Sequence, residues 1–347
     1  MRAVKLVALA ICRALGLFAV ARWLTRRQLN ILCYHGFELV DEASFLPKLF
    51  IRLPTFEKRL ATIERLGFKV VALDEAVDRL YAGTLPDRSL VLTVDDGFHA
   101  FYRLAVPALR RRRMTATAYV TTYYVKHGNP VFRLFVQYMF WKTRERELRL
   151  EDARWNSGPP VDLSDATQAS GAMWSLIEYG ERQCSEDERC ALSKKLASAL
   201  RLPHDEMLRS RVLHLMSPDE LRELADDGIA VELHTHRHTF SPHDERDARR
   251  EVQDNRDALL GWVAGDKRHF CYPSGLWAER QWAWLDAMGI KSSTTCIPGA
   301  NDRLTPRHAL RRILDSESLH QLEFEAAISG LPGLLRGRNA RRVKAPD

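Results

Sequence analysis

The stretch Leu90-Val91-Leu92-Thr93-Val94-Asp95-Asp96-Gly97-Phe98 ends a run of β-branched and leucyl residues in two adjacent carboxylates and a glycine. The apolar run predicts a buried strand. Carboxylates directly after a buried strand lie at the carboxyl edge of a sheet or barrel, where α/β folds place their chemistry. Because neighbouring carboxylates repel each other, a metal ion or a division into base and ligand would relieve the pair. A plain Asp-Gly turn is the alternative interpretation.

A second stretch has the same design. Ile229-Ala230-Val231-Glu232-Leu233-His234-Thr235-His236-Arg237-His238 is a short apolar strand that ends in three histidines within five residues. Neutral imidazole is the commonest metal ligand in proteins. Two histidines and one aspartate, with open positions left for water, form a hydrolytic zinc site. The two strand ends together therefore predict a metal centre.

These residues resemble the motifs of the polysaccharide deacetylase family, carbohydrate esterase family four. The segment 93–97 is similar to the family's Thr-Phe-Asp-Asp-Gly, and 234–238 matches its His-(Ser/Thr)-x-x-His. A third motif, Arg-x-Pro-Tyr in many members, is matched loosely by 270–275, where Cys271 stands in place of the arginine. The resemblance runs from about Asn30 to about Ala327. It implies an α/β fold, a distorted (β/α)7 barrel, here with a helical insertion.

The resemblance also implies roles for individual residues. Asp96, His234 and His238 would bind a divalent metal, with Zn²⁺ as the expected ion, and Asp95 would be the general base. His236 is a rival ligand, and the motif spacing favours His238. The implied activity is metal-dependent hydrolysis of N-acetyl groups on an aminosugar of a polysaccharide or glycolipid precursor.

The general acid is less clearly marked. Many family members use a late Leu-x-Ile-x-x-His motif, but the corresponding segment, 310–315, ends in Asp315 without a histidine in register. His35, which follows the predicted strand 31–34, is the main candidate, and Asp315 and His236 are weaker ones.

Three residues are predicted on the substrate side. Tyr272 is expected to give a backbone N–H to the oxyanion, and Pro273 lies beside it in the third motif. Arg312 is expected to replace the arginine missing at Cys271 and to neutralise or orient Asp95. A surface position is the alternative for Arg312.

The chain divides into three predicted parts. Residues 1–28 form an N-terminal membrane-interfacial helix, 29–327 form the barrel, and 328–347 form a basic, disordered tail. Residues 124–214 interrupt the alternation of strands and helices and are predicted as the insertion. Its aromatic segment, 131–141, suits a core helix, a lid or a lipid-facing patch.

Charge and cysteine content indicate a location. The 347 residues carry a net charge of +7, which suits a polyanionic partner. No nucleic-acid motif accompanies this charge, so the anionic surface of a membrane is favoured. Residues 3–24 are largely apolar with Arg13 at the centre, which predicts an interfacial helix whose arginines meet lipid headgroups. A cleaved secretory signal, and a helix packed on the barrel, are the alternatives.

Six cysteines without metal-type spacing indicate a reducing compartment, and hence a peripheral protein on the cytoplasmic face of the membrane. Export or anchoring through an N-terminal signal is the alternative. The expected partner is an N-acetylated sugar polymer or a lipid-linked sugar. Two other functions compete with deacetylation, namely deformylation or another C–N amidohydrolysis on a lipid-linked sugar, and non-catalytic carbohydrate binding.

Overall fold

The computed structural model describes residues 2–150 and 159–336. Twelve strands occur among them, and they are β1 (Asn30–Tyr34), β2 (Gly36–Phe37), β3 (Phe50–Ile51), β4 (Lys69–Val70), β5 (Ser89–Val94), β6 (Thr117–Val120), β7 (Glu147–Leu148), β8 (Val161–Asp162), β9 (Ala230–Leu233), β10 (His269–Cys271), β11 (Ser292–Pro298) and β12 (Leu310–Leu314).

Sixteen α-helices occur in the same residues. The first eight are α1 (Arg2–Ala14), α2 (Leu17–Leu24), α3 (Glu42–Phe45), α4 (Leu53–Arg65), α5 (Leu73–Ala82), α6 (Val106–Arg111), α7 (Tyr123–His127) and α8 (Phe132–Lys142). The other eight are α9 (Ala166–Gln183), α10 (Glu186–Ala199), α11 (His204–Arg209), α12 (Pro218–Asp226), α13 (Glu245–Trp262), α14 (Arg280–Ala287), α15 (Gln321–Ile328) and α16 (Leu331–Arg336).

Seven parallel strands close into a barrel in the order β1, β5, β6, β9, β10, β11 and β12. Closure depends on β1, which pairs with β12 on one side and with β5 on the other. The short strand β4 pairs only with the start of β5, at Lys69↔Ser89 and Val70↔Leu90. The predicted (β/α)7 barrel is confirmed.

Alternation along the strands separates the barrel interior from its outer layer. Ile31, Val91 and Tyr119 pack inside with residues of α5, which closes the amino end of the barrel. Their neighbours, such as Leu32 and Leu92, belong to the large core shared with the outer helices. Successive strand residues point to opposite faces, so this two-sided burial explains why the strands are apolar almost throughout.

The insertion is mainly helical. It contains α7 to α11 and the antiparallel pair β7–β8. The aromatic segment forms α8, in which Phe132, Phe135, Tyr138 and Met139 are buried in the main core. This helix is therefore part of the core.

Three elements around the barrel have features worth noting. The segment after Phe98 is a π-helical turn, Phe101–Ala105, followed by α6. Strand β4 contains only Lys69 and Val70. Helix α12 begins in a reciprocal capping box formed by Ser217 and Glu220.

The N-terminal residues form two helices that meet at a bend of 75°. The bend lies at Gly16, whose φ of 73° favours glycine. Among the described residues, no helix alone has the length and apolar composition needed to cross a membrane, whereas α1 and α2 taken together do meet that test. Arg13 pairs with Glu325 of α15 at 3.5 Å while its side chain remains 52% exposed, and its contact with lipid headgroups stays a prediction.

The predicted disordered tail needs a correction. Helix α15 extends to Ile328 and α16 covers Leu331–Arg336, so residues 328–336 are largely helical. The rest of the predicted tail, 337–347, lies outside the described residues.

Candidate functional site

Polar side chains from five strand ends meet at the carboxyl end of the barrel. Asp95 and Asp96 follow β5, His234 and His238 follow β9, and His35 follows β1. Arg312 of β12 and Cys271 of β10 reach the same place from inside the barrel. Parallel strands end at one edge of the barrel, so residues far apart in sequence become neighbours there.

Asp96, His234 and His238 form a compact group of three possible ligands. Asp96 Oδ1 lies 3.3 Å from His234 Nε2 and 3.4 Å from His238 Nε2. Two ligands of a tetrahedral zinc ion, each bound at about 2.1 Å, are separated by about 3.4 Å. The donor set and its spacing therefore fit a zinc-type ion.

Two other groups of metal-binding side chains occur among the described residues, Cys33 with His35 and Asp95, and Asp95 with His234 and Cys271. Both require Asp95, whose two oxygens each accept a hydrogen bond from Arg312 at 2.7 Å. A cation placed there would face a buried guanidinium. The group that contains Asp96 is therefore the better metal site.

The surrounding structure orients His234. Its Nδ1 lies 2.8 Å from the carbonyl oxygen of Cys271, an arrangement in which Nδ1–H donates and Nε2 keeps its lone pair for a metal. The His234 backbone N–H donates to Asn255 Oδ1 at 2.9 Å. Asn255 also donates to the carbonyl oxygen of Val120, so it ties the end of β6 to the end of β9.

The backbone is strained at the possible metal ligands. Asp96, Thr235 and His238 have φ values of 69°, 66° and 59°, in the left-handed region. Each such non-glycine residue costs on the order of 1 kcal/mol or more, and such residues cluster at functional sites. Three such residues occur in the two loops that follow β5 and β9, which indicates that the surrounding fold holds the possible ligands in place.

Asp95 lies beside the metal group and is fully buried. Burial by itself would raise the pKa of Asp95, but the charge and hydrogen bonds of Arg312 outweigh it and hold that pKa well below its usual value. The thiols of Cys33 and Cys271 lie 3.5 and 3.3 Å from Asp95 Oδ2. Asp95 is therefore an ionised carboxylate held in a fixed orientation.

Of the three candidate general acids, His35 is the one whose side chain lies beside Asp95. Its Nε2 lies 3.7 Å from Asp95 Oδ2, and its side chain is partly exposed. His236 instead lies with its Nδ1 2.8 Å from Thr122 Oγ1, and burial lowers its pKa to about 4. Asp315 pairs with the buried Arg59 at 3.1 Å.

Of the three residues predicted on the substrate side, Tyr272 and Pro273 are held within the barrel wall, and Arg312 lies beneath Asp95. The Tyr272 backbone N–H donates to the carbonyl oxygen of Thr294 within the barrel, so it is not available to an oxyanion. The Tyr272 hydroxyl donates to the carbonyl oxygen of His308. Pro273 is buried in a 3₁₀ turn. Arg312 is fully buried on Asp95, which fits its expected orienting role and corrects both the surface alternative and its grouping with substrate.

Sequence reasoning missed the helix that supports the histidine loop. Besides Asn255, α13 contributes Glu251, whose carboxylate accepts the Arg237 backbone N–H at 2.7 Å. A usable signal existed, because Asn255 falls in the apolar stripe formed by Ala248, Val252 and Leu259. A polar residue in such a stripe needs a buried partner.

Comparison with known proteins agrees with this architecture. The family model described as polysaccharide deacetylase matches residues 82–149 and 188–293, half of the chain. The matched segments contain Asp95, Asp96, His234 and His238, whereas Arg312 lies outside them. No curated protein matches the chain.

Several solved structures share the fold. Deacetylase PplD of Streptococcus pyogenes, in complex with acetate, has a TM-score of 0.59 at 15% identity and aligns over 87% of this chain and 98% of its own. IcaB from Ammonifex degensii has a TM-score of 0.52 at 17% identity, over 87% and 97%. A polysaccharide deacetylase from Bacillus cereus has a TM-score of 0.52 at 12% identity, over 87% and 69%.

Proposed function

The chain belongs to the polysaccharide deacetylase family and is a carbohydrate deacetylase, and we propose that it removes N-acetyl groups from an aminosugar of a polysaccharide or glycolipid precursor with the help of a zinc ion. The observation that carries this proposal is the grouping of Asp96, His234 and His238 directly beside the ionised Asp95. A metal-dependent hydrolase needs both parts, a site for a Lewis acid and a base next to it.

Asp96, His234 and His238 would hold the metal. When bound, such an ion supplies polarisation of the acetyl carbonyl and lowers the pKa of water to about 7. Asp95 accepts the proton of the attacking water. Arg312 binds both oxygens of Asp95, so the carboxylate cannot rotate away from the mouth.

His35 is proposed as the general acid. The bond between the acetyl carbon and the sugar nitrogen breaks, and the leaving nitrogen takes a proton from the imidazolium of His35. The position of His35 supports this role, since Nε2 lies on the same side as Asp95 Oδ2, at 3.7 Å. Its partial exposure leaves the ring accessible to substrate from the mouth.

We also propose that the enzyme acts peripherally at an anionic membrane surface, on its cytoplasmic side, with a lipid-linked or polymeric N-acetylated sugar as substrate. The net charge of +7 and the apolar N-terminal segment support the surface. The six cysteines are all free thiols, which suits a reducing compartment. Detection of a mature N-terminus after Ala21 would instead favour export through a cleaved signal.

The test combines metal analysis with product analysis. Purified protein should hold about one divalent ion per chain and lose activity to a chelator. His234→Ala should lose the ion, whereas His236→Asn, the matched control from the same loop, should retain it because His236 bonds to Thr122. Equal metal content in both variants would contradict the assignment of ligands.

Products should be measured on a panel of soluble and lipid-linked N-acetylated and N-formylated aminosugars. Release of acetate supports the proposal, and release of formate alone supports the deformylase alternative. Sugar binding without release of either acid would indicate a binding module.

A further inference from the structure

Helix α1 has its apolar face turned toward solvent. Val4, Val7, Ile11 and Leu15 are 74%, 61%, 54% and 70% exposed. The spacing of Val4, Val7 and Ile11 places them on one stripe of α1, and Leu15 follows directly after the helix ends. The alanines at positions 3, 8, 10 and 14 are also exposed, so this side of α1 is apolar along its whole length.

The charged residues of α1 form ion pairs with α15 along the edge of the helix, although each side chain stays more than half exposed. Arg2 and Lys5 pair with Glu323 at 3.3 and 2.6 Å, and Arg13 pairs with Glu325 at 3.5 Å. Both glutamates belong to α15, against which α1 packs. On the inward side, Leu9 and Cys12 pack against the cluster of Phe18 and Ala326, so α1 has apolar residues on both sides and its outward apolar side has no cover in the fold.

Helix α2 repeats this arrangement. Phe18 and Ala21 pack on Ala326 and Leu331, which fixes the inner face of the helix. The outer face presents Val20, Trp23 and Leu24, which are 54%, 63% and 55% exposed. We call the outward apolar sides of α1 and α2 together the apolar face.

The composition of the apolar face identifies what covers it. A protein partner makes hydrogen bonds across its interface, but within the apolar face only Trp23 carries a side chain that can form one. Tryptophan is enriched at membrane–water interfaces. Arginines at 22, 26 and 27 stand at the end of α2, and their charge complements an anionic surface.

We propose that the apolar face inserts into the headgroup–acyl boundary of an anionic phospholipid bilayer. Binding depends mainly on apolar area, because α15 already pairs with the cations of α1. This inference rests on the proposed function in one respect, namely that the enzyme acts at a membrane. It adds the part of the protein surface that binds the bilayer.

The apolar face also has a defined relation to the barrel mouth. Arg2 donates to the carbonyl oxygen of Ser318, in the loop between β12 and α15. That loop lies at the carboxyl end of the barrel, as do Asp96 and His35. The start of α1 therefore lies at the mouth end of the barrel, whereas α2 leads into the amino end of β1.

The test uses the full chain and vesicles of phosphatidylcholine with phosphatidylglycerol in a flotation assay. The parent should float with the vesicles. Val7→Glu/Ile11→Glu should reduce partitioning into the vesicles by roughly 100-fold, because two aliphatic side chains that would be buried in the bilayer are lost. Leu304→Glu is the matched control, since Leu304 is 83% exposed but lies outside α1 and α2. It should float like the parent.

Salt distinguishes apolar insertion from charge-driven binding. Raising the salt from about 0.1 to 0.5 M should weaken binding of the parent by no more than a few-fold, because screening acts on exposed charges. Parent protein that fails to float, or a double variant that floats equally well, would overturn the proposal. So would a parent dimer that the double variant dissociates without any vesicle binding, since a second copy would then be the occupant.

Acetate release from a soluble substrate separates this inference from the proposed function. The double variant should retain that activity, because α1 lies outside the site. An inactive parent that floats would refute the deacetylase proposal and leave the membrane proposal standing. An active parent that does not float would refute the membrane proposal and leave the deacetylase proposal standing.

Discussion

Arg312→Gln should destabilise the protein strongly at neutral pH. Arg312 and Asp95 are both buried, and two hydrogen bonds of 2.7 Å join them. Removing one partner of a buried ion pair costs about 3–5 kcal/mol, because the other charge is left without compensation. Total stabilities are about 5–15 kcal/mol, so the loss should be easy to measure.

The deficit should depend on pH in a defined direction. In the parent, the lowered pKa of Asp95 contributes stability above the unfolded pKa of about 3.9, and this stability is lost as the pH falls. Without Arg312, burial raises the pKa of Asp95 and the carboxyl takes up a proton. The deficit should therefore be largest near pH 7 and smaller near pH 5. The acid limb of the activity profile should move to higher pH.

Urea unfolding of chelator-treated protein at both pH values gives these free energies. Arg59→Gln is the matched control, since Arg59 is equally buried and pairs with Asp315 at 3.1 Å. It should lose a similar amount of stability without moving the acid limb of activity. An Arg312→Gln protein within about 1 kcal/mol of the parent at pH 7 would refute the role of the pair.

Three further variants probe single roles at the site. Asp95→Asn should retain the metal and lose turnover by a factor on the order of 10² to 10⁴ in steady-state assays, and near-normal turnover would place the base elsewhere. His35→Ala should lower the rate and remove the alkaline limb of the pH profile, because an acid must be protonated to act; an unchanged profile would exclude it as the acid. Asn255→Ala should weaken metal affinity by roughly tenfold or more in chelator competition, while the exposed Gln253→Ala on the same helix should leave it unchanged.

Local patterns in the sequence were sufficient to predict the motif strands. β1 covers the predicted strand 31–34, and β5 covers the apolar run before Asp95. These segments are buried on both faces, so apolar content alone marks them. The order in which the strands close depends on the pairing of β1 with β5, which no local pattern encodes.

The remaining features depend on contacts between distant segments. The amphipathic pattern of α1 predicts a helix, but the direction of its apolar face is fixed by Glu323 and Glu325, more than 300 residues away in sequence. The stripe of α13 marks Asn255 as unusual, but its partners, the His234 N–H and the Val120 carbonyl, become neighbours only in the folded barrel. The availability of the Tyr272 N–H likewise depends on β11.

The exchange of an arginine between strands can be tested directly. The third family motif places arginine where this chain has Cys271, and here the guanidinium comes from Arg312 instead. Cys271 Sγ lies 3.1 Å from Arg312 Nη2 and 3.3 Å from Asp95 Oδ2, so position 271 faces the same carboxylate. We therefore predict that Asp95 requires one neighbouring guanidinium and that either strand can provide it.

Cys271→Arg alone should be destabilising, because it puts a second cation beside a buried guanidinium. Combined with Arg312→Gln, it should recover stability and activity relative to either single variant. The coupling in a double-mutant cycle should be favourable by about 0.5–3 kcal/mol, the range seen for residues in contact. Cys271→Ser controls for loss of the thiol. Additive effects of the two changes would mean that position 271 cannot replace the Arg312 contact, and that the carboxylate depends on hydrogen bonds from β12 rather than on the nearby charge alone.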